Sequence, residues 1–518
     1  MKFSKLSLVE NETANLLGLI IFLIVVTLYR AIALAAADLP LFFDEAYYFT
    51  WSQNLEFGYY SKPPLIAWVI AATTNLCGEG ELCVRAPALL IHPCTAFGLF
   101  LIGCRLYGVK VGRLAAAIYI TLPMISASSW IISTDVLLLF FWTYGLWFLI
   151  GALENTQWRN WLGFGVCLGM GLLSKYTMIV FALSLILYLI FSPIHREHLR
   201  HPKFYAALFL AILIFSPNIF WNIFHGWISL RHTADNAALD RPLFHPIKLL
   251  EFLGSQILIF SPVLSMILPA AMMRREELTR NKELTGTEVW RRGLLLALSL
   301  PLFVIITGEA LMARSNANWA APSYLCFTLL ISAWFMCPKD QEKQEKMVAK
   351  KCRSHGHLLI AAFTLNILIA GLGYHHDALY RIMGTKPARH LDPYARLRGW
   401  RELADQVQKL RTRYPNTGIV GNDRILLAEL GYYLQPRPWR IAAWNPLGEI
   451  SDQYRLSADI RQRPKGDYLF VTRGIELESI SATFTEAHDL GRIRIATHRD
   501  SVIECSVFWV RNFQGYRS

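Results

Sequence analysis

Residues 63–77 read PPLIAWVIAATTNLC, and how this stretch lies decides how the whole chain is threaded. It is apolar enough to enter a bilayer, but it is short, opens on two prolines and runs almost directly into another apolar segment. Counted as a membrane span, it would invert every later loop. A bilayer core asks for about 20 apolar residues per helix. Runs of that kind recur at 13–34, 84–105, 112–131, 135–153, 160–174, 176–192, 204–220, 247–271, 293–310, 319–337 and 355–373. With 63–77 lying along the membrane surface, one set of loops carries 21 Lys and Arg before the last span and the other seven. Basic residues collect on the cytoplasmic side. The asymmetry therefore predicts a cytoplasmic N-terminus, a juxtamembrane helix at 63–77, and external loops at 35–83, 221–246 and 309–318.

The composition agrees. The chain is 54% hydrophobic and only 17% charged, too apolar for an ordinary soluble protein. Its net charge of +13 sits in short loops between apolar runs, which argues for membrane orientation rather than nucleic-acid binding. The start looks like a secretory signal, with Lys2 and Lys5 before an apolar run and then ALAAAD. Arg30 interrupts that pattern and more spans follow, so the segment reads as a retained first helix. The expected fold class is a polytopic α-helical membrane protein of about 11 transmembrane helices with juxtamembrane helices. After residue 373 the character changes. TGIVGND and KGDYLFVTRG read as strands, ILLAELGYYL as a helix, and 489–513 as a strand pair, which predicts an extracytoplasmic α/β domain over 374–518 behind a bundle over 1–373.

The nine cysteines include no metal-type pairs. Cys77 and Cys83 bracket the polar stretch GEGEL. A local disulfide there and two free thiols are both open readings.

The polar residues that can carry chemistry gather in the external loops. The first, DLPLFFDEAYYFTWSQNLEFGYYSKPPL (38–65), holds Asp44, Glu45, Tyr59 and Lys62. As a structural reading, Asp44 caps a short helix, Glu45 favours its positive end and the aromatics lie at headgroup level. The competing reading makes Asp44 a catalytic carboxylate. Asp135, in SSWIISTDVLLLFF, is an ionisable group abutting apolar helices, which points to function. A helix cap is its alternative. Lys62, stiffened by the two prolines behind it, and Lys175 are cations at the membrane surface. Two further loops, WNIFHGWISLRHTADN (221–236) and GEALMARSNANWAAPSY (308–324), mix Trp319 and other aromatics with His225, His232, Arg231, Arg314, Asn316 and Asn318. Aromatic faces with hydrogen-bonding groups suit a sugar, and cations suit a phosphate.

FFDEAYYF, YYSKPPL, the Arg85-x-Pro87 turn and STDVLLLFFW together resemble the dolichyl-phosphate-mannose–protein mannosyltransferase superfamily, and among its bacterial members the lipid A aminoarabinose transferases. The resemblance covers the order of elements across 13–373. It implies a C-type (GT-C) glycosyltransferase in the bacterial inner membrane with a periplasmic site and a polyprenyl-phosphate sugar donor. The acceptor would be a lipid A, another glycolipid or a protein. Asp44 resembles the first-loop aspartate near the acceptor, Asp135 the second-loop acid, and Lys62 the lysine that holds the donor phosphate. Arg314 and Arg231 would assist Lys62. Glu45, Tyr59, Arg85, Lys175, His225, His232, Asn316, Asn318 and Trp319 would contact substrate. Two positions depart from the aminoarabinose pattern. Ser61 stands where those enzymes tend to be acidic, and Ala46-Tyr47-Tyr48 where they tend to be basic, which argues against aminoarabinose as the sugar. No cofactor is called for, and no nucleic acid. The rival class is a flippase for a lipid-linked sugar, which predicts polar or helix-breaking residues at mid-bilayer depth. Here the polar residues gather at one face.

Overall fold

The computed structural model describes residues 2–235, 244–273, 282–313, 315–336, 345–438 and 440–516. Among them, six helices are long and apolar enough to cross a membrane: Leu16–Ala37, Glu81–Tyr107, Thr134–Asn155, Pro202–Phe224, Val289–Met312 and Gly356–Tyr374. The other expected spans fall on shorter or interrupted helices, such as Trp158–Ser174, Tyr176–Phe191 and Ser323–Phe335. Pro123 breaks the 112–131 stretch into Val109–Thr121 and Pro123–Ser128. The expected single span at 247–271 is corrected to two helices, Pro246–Phe260 and Pro262–Met273, bent by 97°. Ser261 between them has φ of 95°, and Pro262 can neither donate to the preceding turn nor clear its carbonyls.

Leu65–Cys77 is a helix of 13 residues. At 1.5 Å per residue it extends about 20 Å, short of the roughly 30 Å of a bilayer core.

The chain divides into two compact units. One comprises 1–33, 86–224 and 233–373; the other comprises 34–85, 225–232 and 374–518. The sequence reading placed 34–85 and 225–232 with the membrane bundle, whereas the structure packs them with the C-terminal residues. The reason is visible in the side chains, because the aromatic face of Phe43–Ser52 is buried against the helix Arg424–Tyr433, with Phe49 edge-on to Tyr432 at 4.9 Å.

In the first unit, helices pack through small residues. A Cβ on Gly165 would stand 2.5 Å from the Ala207 carbonyl oxygen, and one on Gly169 2.9 Å from that of Ala211. This four-residue spacing of small side chains on both helices is how apolar helices approach closely without a hydrophobic drive. Leu17, Ile21, Val25 and Leu28 of the first helix are exposed, as a lipid-facing surface requires. Arg30 is buried there, but it donates to Ser126 Oγ, Ser129 Oγ and the Ile120 carbonyl, so the cation is satisfied within the bundle.

The second unit is built on a five-stranded sheet of β1 (Gly418–Gly421), β2 (Ile441–Ala443), β3 (Asp467–Thr472), β4 (Phe484–His498) and β5 (Ser501–Phe513), in the order β2-β1-β3-β5-β4. β1 runs parallel to β2 and β3, while β5 is antiparallel to β3 and β4. The central β3 is apolar on both faces, as a strand covered on both sides must be.

Candidate active site

Asp44 and Glu45 open the helix Phe43–Ser52. Glu45 turns inward and is fully buried. Its Oε2 accepts the Phe42 N–H at 2.8 Å, and both its oxygens take the guanidinium of Arg85 at 2.8–3.1 Å. Arg85 spends its remaining donors on the carbonyls of Leu39 and Pro40. Every polar group of this pair is satisfied, which is the condition for burying it without a large penalty. The pair clamps the 39–45 turn.

Asp44 points elsewhere. Phe42 holds the cap position, and Asp44 makes no capping hydrogen bond, so the capping reading is corrected. Its Oδ1 instead accepts from Arg424 Nη1 at 3.1 Å, with both side chains more than a third exposed (39% and 35%). Arg424 begins the helix Arg424–Tyr433, whose cap Asp423 accepts the Ile425 N–H at 2.8 Å. The guanidinium lies over the rings of Phe43 (5.5 Å) and Tyr47 (5.4 Å). Burial alone would lower the pKa of Arg424, but Asp44 and Tyr47 hold it above the usual value. Burial, reinforced by Asp452, pushes the Tyr47 hydroxyl well above its ordinary range.

Further along the loop, Tyr59 is buried. Its ring stacks on Trp51 at 4.5 Å and its hydroxyl donates to the Trp51 and Asn54 carbonyls. Tyr47, Trp51, Tyr59, Gln453 and Tyr454 line a cavity of about 330 Å³. Lys62 is half-buried, and its carbonyl accepts the Tyr59 N–H at 3.1 Å. The 225–232 segment lies on this loop, with Ser229 donating to the Tyr59 carbonyl at 2.5 Å and His232 beside the Tyr60 ring at 4.9 Å. Arg401 ties Asp38 to Glu81, and Cys77 is joined to Cys83 in a disulfide.

In the bundle unit, Asp135 also misses the cap position, which belongs to Ser133. Lys175 Nζ approaches its Oδ1 at 2.7 Å, and Asn318 Nδ2 donates to its Oδ2 at 2.6 Å. Lys175 ends the helix Trp158–Ser174 in extended backbone, which swings it off the helix axis toward Asp135. Nearby in sequence, Tyr176 donates to Asn218 Oδ1 at 3.2 Å, and Asn222 donates to the Asn218 carbonyl at 3.0 Å. Among the described residues no three His, Cys, Asp or Glu side chains converge as a metal site would need.

Comparison with known proteins gives these groups a context. Residues 61–221 match the dolichyl-phosphate-mannose-protein mannosyltransferase family. The lipid A galacturonosyltransferase RgtD of Rhizobium johnstonii is 30% identical over 458 residues, spanning 86% of this chain and 89% of that protein. The chain belongs to this family of C-type glycosyltransferases. In the solved structures, the same fold appears in ArnT from Cupriavidus metallidurans in the apo state (TM-score 0.63, 12% identity, 95% of this chain and 98% of that one). ArnT bound to undecaprenyl phosphate matches with TM-score 0.61 and 13% identity over the same shares.

For this multi-pass membrane glycosyltransferase, several expected site residues need correction. Glu45 and Arg85 were expected to contact substrate, but they are sealed in their own ion pair, with side chains 0% and 2% exposed. Tyr59 spends its hydroxyl on the backbone and reaches a ligand only through the cavity wall. Trp319, on the 3-10 turn Ala317–Ala320 of that loop, is partly buried against the bundle core. Asn318 serves Asp135, whereas Asn316 is exposed and its carbonyl accepts the Trp319 N–H. His225 is half-buried and Arg231 exposed. Arg314 lies outside the described residues. The sequence reading missed Arg424, because a pairing across 380 residues leaves no local pattern.

Proposed function

We propose that this glycosyltransferase moves a galacturonosyl group from a polyprenyl-phosphate carrier to lipid A at the external membrane face. The likeness to the lipid A galacturonosyltransferase, along nearly the full length of both chains, carries this reading. The fold it shares with a protein bound to undecaprenyl phosphate supports the class of donor. The loop-charge asymmetry supports a cytoplasmic N-terminus and a periplasmic C-terminal domain. A uronate also accords with Ser61 in place of an acid, since one fewer carboxylate suits an anionic sugar.

The chemistry follows from the groups present. An external site has no nucleotide sugars, so the leaving group is a lipid phosphate. The acceptor oxygen attacks the anomeric carbon as the bond from that carbon to the phosphate oxygen breaks, and the configuration inverts. The electron pair goes to the phosphate. Lys62, a cation beside the stiff Pro63-Pro64 pair, neutralises it. Asp44 takes the proton of an acceptor hydroxyl. If the acceptor atom is a phosphate oxygen, Asp44 only orients it.

The test is product analysis. Purified full-length protein, given polyprenyl-phosphate galacturonate and lipid A, is expected to yield lipid A heavier by one hexuronosyl unit. Release of free sugar only, or translocation of the lipid-linked sugar across vesicles without product, would rule the reading out.

A further inference from the structure

Arg424 is a cation with donors to spare. It gives one hydrogen bond, through Nη1 to Asp44 at 3.1 Å, and no other acceptor for it is found among the described residues. More than a third of its side chain is exposed. Its position is nonetheless fixed. The Asp423 cap starts its helix, Arg473 holds that cap at 3.2 Å, and the rings of Phe43 and Tyr47 lie 5.5 and 5.4 Å from the guanidinium carbon.

We propose that Arg424 binds the carboxylate of the transferred uronosyl group and so sets the sugar specificity. The proposal rests on the galacturonosyl reading above. A guanidinium is a planar fork that matches a carboxylate in two parallel hydrogen bonds. The Asp44 carboxylate beside Arg424 repels a dianionic phosphate more than a singly charged carboxylate, so the pair discriminates toward the latter. The neighbouring aromatic rings offer apolar walls of the kind a pyranose face covers. Bridging Asp44 and the sugar carboxylate, Arg424 would hold the sugar beside the candidate base. It also gives the C-terminal residues a part in substrate choice rather than a purely architectural one.

The experiment compares two donors that differ only at C6, polyprenyl-phosphate galacturonate and polyprenyl-phosphate galactose, with full-length protein and lipid A. The readout is the ratio of their kcat/KM values, which a general loss of folding or of Asp44 function leaves unmoved. Truncating one partner of a charge pair is expected to cut that ratio about 100-fold in Arg424→Gln. Arg424→Lys keeps the charge without the fork and is expected to lose about tenfold. Equal losses for both donors in Arg424→Gln, or a ratio that holds, would overturn the assignment while leaving the galacturonosyl reading intact. A wild-type protein that uses the galactose donor and refuses the galacturonate donor would instead sink that reading.

Discussion

Asp44 and Glu45 are neighbours in sequence, yet they serve opposite ends. Glu45 is sealed from water on Arg85, with all of its hydrogen bonds made inside the protein. Asp44 meets its arginine at the surface, and Arg424 keeps most of its donors uncommitted. A single residue step along the helix explains the split, because successive residues point about 100° apart. The difference separates a buried, saturated ion pair, which is framework, from a half-exposed and unsaturated one, which the proposal assigns to chemistry.

The contrast can be broken first at the buried end. Arg85→Met leaves Glu45 as an uncompensated buried charge and is expected to destabilise the fold by about 3–5 kcal/mol. Thermal unfolding of the detergent-solubilised protein measures it, and a melting temperature near wild type would put Glu45 in the same class as Asp44. The Asp135–Lys175 pair lies between the two extremes, at 8% and 12% side-chain exposure. If it belongs with Asp44, Lys175→Met lowers kcat about 100-fold while the melting temperature holds. A large stability loss with kcat retained in the surviving enzyme would assign it to the framework instead.

Glu429 sharpens the comparison, because no ion pair to it is found among the described residues. It is fully buried on the helix that begins at Arg424, and neither carboxylate oxygen has a hydrogen-bond partner among the described residues. Burial, with Glu45 adding to it, holds its pKa well above the usual carboxylate value. The folded protein therefore keeps a proton that the unfolded chain releases above the ordinary pKa of 4.5. Stability falls as pH rises beyond that value, the reverse of a salt-bridged acid. Glu429→Gln is expected to raise stability at pH 8 by about 1–3 kcal/mol and to flatten the decline between pH 5 and 8. An unchanged pH profile would show that the carboxyl is ionised and paired. The smallest effect is expected at the half-exposed pair Arg105–Glu154, where Arg105→Ala should cost less than about 1 kcal/mol by the same unfolding assay.

Much of this arrangement is legible in the sequence. Apolar runs mark helices because hydrophobicity is local, and the strands of the tail alternate or bury in recognisable stretches. The short length of 63–77 is read directly from the sequence and matches the 13-residue helix Leu65–Cys77. Asp135 stood out because a carboxylate beside apolar helices needs a partner, although the sequence did not say that Lys175 and Asn318 supply it. Other features were closed to sequence reasoning. Whether Asp44 or Glu45 faces the interior depends on the rotation of one short helix, set by what packs on it. The Arg424 contact and the assignment of 34–85 to the C-terminal unit are long-range, and neither leaves a spacing to read. The bend at Ser261 had a local signal in Pro262, which the reading of 247–271 as one apolar run passed over.

The most direct measurement is transfer by the Asp44→Asn enzyme. Purified full-length protein would be given labelled polyprenyl-phosphate galacturonate and lipid A, with kcat determined beside wild type. The account predicts a loss of about 10²–10⁴-fold with the melting temperature preserved, as expected for a positioned proton acceptor at a half-exposed pair. Undiminished transfer by Asp44→Asn would contradict it.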